Sequence, residues 1–386
     1  MEIGKRLSGI DEYYFAGKLR AIELMNNAGK KVINLGIGSP DLPPHYSVTD
    51  TLCLEAAKPS NHGYQNYKGN IILREAIQRW YSKWYNVDLD PSNEILPLFG
   101  SKEGIMHVCM TYLNPGDSVL IPNPGYPTYR SVATLAGAEC FEYKLTERNN
   151  WLPDLESLAN CDLQNTKLMF VNYPNMPTGK LPNKNLFNDL ISFATDNEIV
   201  ICHDNPYSFI LNPEPMSMLS IDGAKEVVIE LNSLSKSHNM AGWRIGMMVG
   251  KEQFISQVMR FKSNMDSGMF LPVQLAASKA LELGKEWFTH LNNIYEKRRL
   301  SVYNLLKHLN CSFDPVQGGM FVWAKIPPQH PGSYPFSDSI LANAHVFITP
   351  GSIFGSEGDR YVRVSLCSSE NIIASAIDRI RSTILV

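Results

Sequence analysis

The sequence predicts an α/β fold, with a mostly parallel central sheet covered by helices on both faces and a smaller α+β domain after it. From about residue 70 to about residue 290, short apolar runs bounded by turn residues alternate with amphipathic stretches, the texture of repeated strand–helix–strand units. Beyond that point a long helical stretch is followed by separate strand-like runs. The length of 386 residues exceeds what a single core commonly serves. We therefore expect an N-terminal arm over 1–45 that packs with the small domain, a large α/β domain over 46–285 and a small α+β domain over 286–386.

Each element has a local reason. Leu73 to Trp80 is amphipathic, and Glu94 to Phe99 then reads as a short extended element that stops at Gly100. Ser101 is placed to cap a helix over Lys102 to Leu113, which Asn114-Pro115-Gly116-Asp117 would end. Ser118 to Ile121, Leu168 to Asn172 and Ile199 to His203 read as buried strands, with a helix over 181–196 between the last two. Val227 to Leu231 and Ile245 to Val249 continue the series. A helical stretch over 272–298 follows, then strands at Met320–Lys325, Val346–Thr349 and Tyr361–Leu366, and a terminal helix over about 371–384.

Composition excludes several classes. With 44% hydrophobic and 19% charged residues the chain is neither disordered nor membrane-like. Thirty-five basic and 38 acidic residues leave a formal charge of −3, which gives no general electrostatic reason to expect nucleic acid. No run approaches the ~18 continuous apolar residues of a membrane helix, and the first residues, MEIGKRLSG, lack the apolar core of a secretory signal. The cytoplasm is the expected location. The seven cysteines are dispersed and form no CxxC pair, so reduced thiols are expected rather than disulfides or a zinc centre, and no metal is expected.

In a parallel sheet, ligands collect at the carboxyl ends of the strands, and the residues with chemical potential stand there. Lys236 follows the strand ending at Leu231, between Ser235 and Ser237, with Arg244 eight residues on. A lysine so placed suits condensation with a carbonyl, while the neighbouring hydroxyls and the arginine suit an anion. A polar loop of solvated charges is the other reading of the same stretch. Gly100-Ser101-Lys102, entering a helix, would add backbone donors and the positive helix end to an anion cup, or be an ordinary cap. Asp204 ends a hydrophobic strand, where it would keep a heterocyclic nitrogen protonated or simply cap the turn before Pro206. Tyr207 and Tyr126 read as a phenol donor and a stacking ring, or as core aromatics. Arg363, within the alternation Tyr-Val-Arg-Val-Ser-Leu, reads equally as an outward-facing arginine or as a fork for a carboxylate. Pyridoxal phosphate is a cofactor that would need both the lysine and the anion cup.

Over nearly its whole length the sequence resembles the class I/II pyridoxal-phosphate-dependent aminotransferases, the aspartate aminotransferase-like members of fold type I. The runs that carry the resemblance are Asn34 to Asp41, Gly100 to Gly104, Pro124 to Tyr129, Pro177-Thr178-Gly179, Asp204-Asn205-Pro206-Tyr207, Ser233 to Arg244 and the strand around Arg363. The resemblance implies that Lys236 is covalent anchor and general acid/base, that Asp204 pairs with the pyridine nitrogen, and that Tyr207 reaches the phenolic oxygen. It implies Tyr126 stacked on the ring, with the amides of Ser101 and Lys102, Ser233, Ser235 and Arg244 around the phosphate. Arg363 would hold the substrate carboxylate beside Gly38. Tyr64 would reach the phosphate in a partner subunit, which implies a homodimer with shared sites. The implied reaction is transfer of an amino group from an L-amino acid to a 2-oxo acid, with an aspartate-like substrate expected.

One position departs from the pattern. Where the family has Asn-Pro-Thr-Gly, this chain has Met176-Pro177-Thr178-Gly179, and a thioether accepts only weakly and donates nothing. Asn175, one residue earlier, is the candidate to replace the missing amide. Two alternatives remain open at this stage: a β-eliminating carbon–sulfur lyase using the same cofactor, and a noncatalytic cofactor-binding regulatory protein.

Overall fold

The apolar runs between residues 95 and 250 assemble side by side into a seven-stranded sheet. The computed structural model describes residues 3–7, 9–10 and 12–383. In spatial order the strands are Ile95–Leu98, Gly246–Gly250, Val228–Ser233, Val200–Asp204, Thr166–Val171, Ser118–Asn123 and Glu139–Lys144. The last five run parallel to one another, and Gly246–Gly250 is antiparallel to both neighbours. Central strands such as Val228–Ser233 are buried at every position, which is why they read as unbroken apolar runs rather than alternations.

Both faces are covered. Helices Ile71–Tyr85, Lys184–Asp196 and Leu271–Leu281 place Trp80, Phe187 and Ala277 in the core on one face. Helices Ser101–Tyr112, Pro127–Ala136 and Glu252–Lys262 place Ile105, Val132 and Val258 in the core on the other. The smaller unit has an antiparallel sheet of Thr349–Pro350, Tyr361–Ser365 and Phe321–Lys325. Helices Lys285–His308, Ser333–Ala344 and Glu370–Thr383 share a core with it through Tyr295, Ile340 and Ile373. The N-terminal segment joins that unit: Ile33–Asn34 pairs in parallel with Val346–Phe347, and Phe15 and Leu35 enter its core.

The sequence reading needs four corrections. The helix expected over 272–298 is two helices, Leu271–Leu281 and Lys285–His308, with the second starting after Gly284. The run Val346–Thr349 is split between two sheets, because the chain leaves Ile33–Asn34 after Phe347 and pairs Thr349 with Arg363. Ser101 does not cap its helix: it is the first helical residue, and Gly100 holds the cap position at a φ of 90°. The edge strand Glu139–Lys144 was not foreseen, because its charged, largely exposed side chains break the apolar run. Residue 384, at the end of the expected terminal helix, lies outside the described residues.

Candidate active site

The parallel strands and the reversed strand Gly246–Gly250 bring their connecting turns to one end of the sheet, where a cavity of about 480 Å³ opens. Strand Val228–Ser233 ends in a one-turn helix, Leu234–Ser237, that presents Lys236 to this cavity. Ser233 fixes the turn: its hydroxyl accepts from the Ser235 amide at 3.2 Å and donates to the Ile245 carbonyl at 3.3 Å. The Lys236 ammonium donates to the Gly38 carbonyl, tying the N-terminal segment to the site. Burial lowers the Lys236 pKa, and the nearby Arg363 and Arg244 act in the same direction.

Asp204 ends the neighbouring strand and is only 5% exposed. Its Oδ2 accepts from the Tyr129 hydroxyl at 2.9 Å, while Oδ1, also buried, has no partner among the described residues. Burial pushes the carboxyl up to about 6, opposed by the Tyr129 hydrogen bond and by His203 and Lys236. Asn172, from the adjacent strand end, donates to the Asp204 main-chain carbonyl at 2.6 Å. Tyr207 and Tyr126 line the same cavity.

The residues expected to form an anion cup are also here. Ser101, Lys102, Ser233, Ser235 and Arg244 all line the cavity there. Arg244 adopts a left-handed φ of 58° and donates to the Ala241 carbonyl at 2.8 Å, the Phe99 carbonyl at 3.3 Å and Ser235 Oγ at 3.5 Å. The guanidinium crosses directly over Gly100, where a Cβ would stand 2.2 Å from its Nη2. Only glycine supplies both the positive φ and that clearance.

Arg363 is 4% exposed and has no carboxylate partner among the described residues. It donates to the Gly36 carbonyl at 2.8 Å and meets Met176 Sδ at 3.1 Å, while its Nε has no partner among the described residues. The Phe321 ring lies 3.8 Å from the guanidinium carbon, with Phe354 at 4.7 Å and Phe15 at 5.6 Å. Burial lowers its pKa to about 10, so it stays charged at neutral pH. A desolvated cation held mainly by π faces, a carbonyl and a thioether is poised for an anion from outside the chain. Gly38 packs closely on the same Phe321 ring, where a Cβ would come within 2.2 Å of it.

Most of the residues singled out in the sequence thus line one cavity, with two exceptions. Asn175 is 3% exposed but turned into its own loop: its amide nitrogen donates to the Asn172 carbonyl, and its oxygen accepts from the amide and hydroxyl of Thr178. In this arrangement Asn175 does not line the cavity, and Met176 does. Tyr64 is 95% exposed and stands apart from the cavity of its own chain. Sequence reasoning missed Tyr13, Phe15, Leu19, Tyr129, Asn172, Phe321 and Phe354, which also line the site. Phe15 and Leu19 sit four apart on the helix Tyr14–Asn27, a spacing that put them on one face, but nothing local said which face met the cavity.

Pyridoxal phosphate, the cofactor expected from the sequence, fits these groups. A buried carboxylate oxygen with no partner among the described residues could accept from a protonated ring nitrogen, and the groups around Arg244 would suit a phosphate.

Comparison with known proteins agrees with this geometry. The profile of the family "Aminotransferase class I and II" matches residues 30–380. The chain is 39% identical to the LL-diaminopimelate aminotransferase of Dehalococcoides mccartyi over 98% of both chains. It is also 39% identical to that of Moorella thermoacetica, over 99% of this chain and 98% of the relative. Among solved structures, substrate-bound BacF from Bacillus subtilis is 38% identical with a TM-score of 0.93, covering 99% of this chain and 98% of its own. A Thermus thermophilus aspartate aminotransferase variant superposes with a TM-score of 0.92 at 22% identity, covering all of both chains, and bears on the fold alone.

Proposed function

The chain belongs to the aminotransferase class I and II family of pyridoxal-phosphate-dependent enzymes, and from that premise we propose that it moves an amino group from an L-amino acid to a 2-oxo acid with Lys236 at the centre. The observation that carries this reading is the convergence of Lys236, the free Oδ1 of Asp204, the Arg244 cup and Arg363 on one cavity. The bound cofactor supplies the reactive carbonyl carbon and an electron-withdrawing ring. The chain's own residues do the rest. Asp204 Oδ1 accepts from the ring nitrogen and keeps it protonated, and the Tyr207 hydroxyl donates to the phenolic oxygen. Tyr126 covers the ring face. Ser233, Ser235, Arg244 and the amides of Ser101 and Lys102 hold the phosphate. Arg363 binds the α-carboxylate beside Gly38, and Lys236 both anchors the cofactor and removes and returns the α-proton. A lysine with a lowered pKa is suited to that second task.

The proposal extends to organisation. Tyr64 stands in a segment with other exposed apolar residues, Tyr67, Ile71 and Ile72, which supports a homodimer in which Tyr64 reaches the partner's cup. The division into 1–45, 46–285 and 286–386 is supported by the separate sheets and cores of the two larger parts. No helix among the described residues is long and apolar enough to cross a membrane.

The donor can be narrowed by charge. An aspartate-like donor needs a second cation, and among the described residues Lys102 is the lining cation not already assigned. The relatives' names favour a second reading, LL-diaminopimelate as donor. The deciding experiment is a matrix of amino donors against 2-oxoglutarate, pyruvate and oxaloacetate, with Lys236→Ala as control. Acceptor-dependent amino transfer, lost in the variant, supports the proposal. Release of pyruvate and ammonia without an acceptor would instead make the protein a β-eliminating lyase, and a bound but unreactive cofactor would make it a binding protein.

A further inference from the structure

A second cluster of ligating side chains lies on the helix that opens with Ser101 and Lys102, outside the cavity. Glu103 and His107 stand four residues apart on helix Ser101–Tyr112, so both project from one face. Asp266, just beyond the end of helix Glu252–Lys262, meets them there: one donor atom from each of the three lies within 4.8 Å of the other two. His107 is the informative member. Its ring is fully buried, and neither nitrogen has a hydrogen-bond partner among the described residues, whereas buried polar groups are ordinarily paired. Because both nitrogens are shielded within one chain, a second subunit cannot reach them. Glu103 Oε1 stands 3.5 Å from Nε2, which is long for a hydrogen bond but close to the edge of a tetrahedron whose corners lie about 2.1 Å from a zinc ion.

Each carboxylate has one oxygen held by the fold. Glu103 Oε2 accepts from the Phe99 amide at 2.7 Å, and Asp266 Oδ1 accepts from the Lys262 ammonium at 2.7 Å and the Gly268 amide at 3.0 Å. Asp266 Oδ2, also buried, has no partner among the described residues. Outer contacts that orient a carboxylate while leaving its second oxygen available are what a metal ligand requires. An imidazole with two carboxylates suits a divalent first-row cation, zinc foremost, better than calcium or magnesium, which take oxygen ligands. The expectation that the chain holds no metal rests on its cysteines, and none of them is in this cluster. The position also gives an ion a task. Glu103 holds the Phe99 amide while the Phe99 carbonyl accepts from Arg244 at 3.3 Å, so an ion on Glu103 would steady the backbone that leads into the cup. Lys262 donates as well to the Tyr67 carbonyl at 3.2 Å, which joins the segment carrying Tyr64.

We propose that Glu103, His107 and Asp266 form a binding site for one divalent transition-metal ion of the zinc type, which braces the helix entering the cup. The test reads metal binding, so it stands apart from amino transfer. Full-length holoenzyme is stripped with a chelator, dialysed and titrated calorimetrically with zinc chloride, and cobalt chloride replaces it for spectroscopy. One ion per chain should bind with a Kd on the order of micromolar or tighter, and the bound ion should raise the unfolding temperature. Cobalt should give visible d–d bands without the charge-transfer bands of thiolate ligands. His107→Gln and Glu103→Gln should each weaken zinc binding by about tenfold or more. Glu103→Gln keeps an oxygen for the Phe99 amide, so it decides the matter where His107→Gln does not fold. Absence of zinc binding to wild type, thiolate bands in the cobalt spectrum, or a zinc affinity unchanged in a folded variant would overturn the proposal.

Discussion

The Tyr129 hydroxyl donates to Asp204 Oδ2 at 2.9 Å, while Oδ1 of the same buried carboxylate has no partner among the described residues. One oxygen is thus fixed by the fold, and in the proposed function the other would accept from the ring nitrogen of the cofactor. The ring of Tyr129 is itself locked, stacked on Phe170 at 4.7 Å. Tyr129→Phe should keep that stacking and remove only the hydrogen bond. Because this bond lowers the carboxyl's pKa, its loss should raise the pKa of Asp204 in the cofactor-free protein above about 6. Cofactor affinity should fall by about tenfold, the worth of a hydrogen bond to a charged group. A cofactor titration across pH checks both, and an affinity equal to that of wild type would remove Tyr129 from the role.

The same carboxylate should cost the cofactor-free protein stability. Burial raises its pKa from the ordinary 3.8 to about 6, so the folded state holds the proton more tightly than the unfolded chain. The resulting stabilisation is complete below about pH 3.8 and is lost as pH rises through about 6. Two pKa units correspond to about 3 kcal/mol. Asp204→Asn removes the titration, so the variant should gain up to about that much on wild type between about pH 4 and about pH 7. Urea unfolding of both cofactor-free proteins across this range measures it. A difference independent of pH would show that Asp204 does not titrate as described.

Gly100 should prove intolerant of even one methyl group. A Cβ there collides with the Arg244 guanidinium at 2.2 Å, and the φ of 90° is itself unfavourable for alanine. Gly100→Ala should destabilise the fold by about 1–3 kcal/mol. Displacing Arg244 should also weaken binding of inorganic phosphate and of the cofactor, while leaving the Arg363 end of the cavity unaltered. Thermal unfolding and phosphate titration report the two effects separately.

These relationships were unequally legible in the sequence. Lys236, Asp204 and Arg244 stand beside strand ends, where an apolar run stops at a polar group and the topology of a parallel sheet says where ligands gather. Tyr129 was hidden inside the helix Pro127–Ala136, where it looks like any core aromatic; its partner is 75 residues away. Tyr13 and Phe15 reach the cavity because Ile33–Asn34 pairs with Val346–Phe347, a contact that no local periodicity encodes. The choice between Asn175 and Met176 was decided by side-chain direction in a tight turn. Asn175 spends its amide on Asn172 and Thr178, leaving the sulfur to face Arg363.

That sulfur contact sharpens what is expected of Arg363. Lysine would keep the charge but lose the planar fork, and with it the ability to hold the Gly36 carbonyl and a carboxylate at once. Arg363→Lys should therefore raise KM for the amino donor by about 10- to 100-fold, with a much smaller change in kcat, because the contact is made before the chemistry. Cofactor affinity should be unchanged, since Arg363 makes no contact with the Arg244 cup among the hydrogen bonds described. The pH dependence has a definite sign. Burial lowers the guanidinium pKa to about 10, so wild-type donor binding should weaken as pH rises through that value while the charge is lost. Steady-state kinetics across pH, with a cofactor titration alongside, separates these expectations. A fall in kcat at constant KM would mean that Arg363 acts on the reacting atoms rather than on the carboxylate.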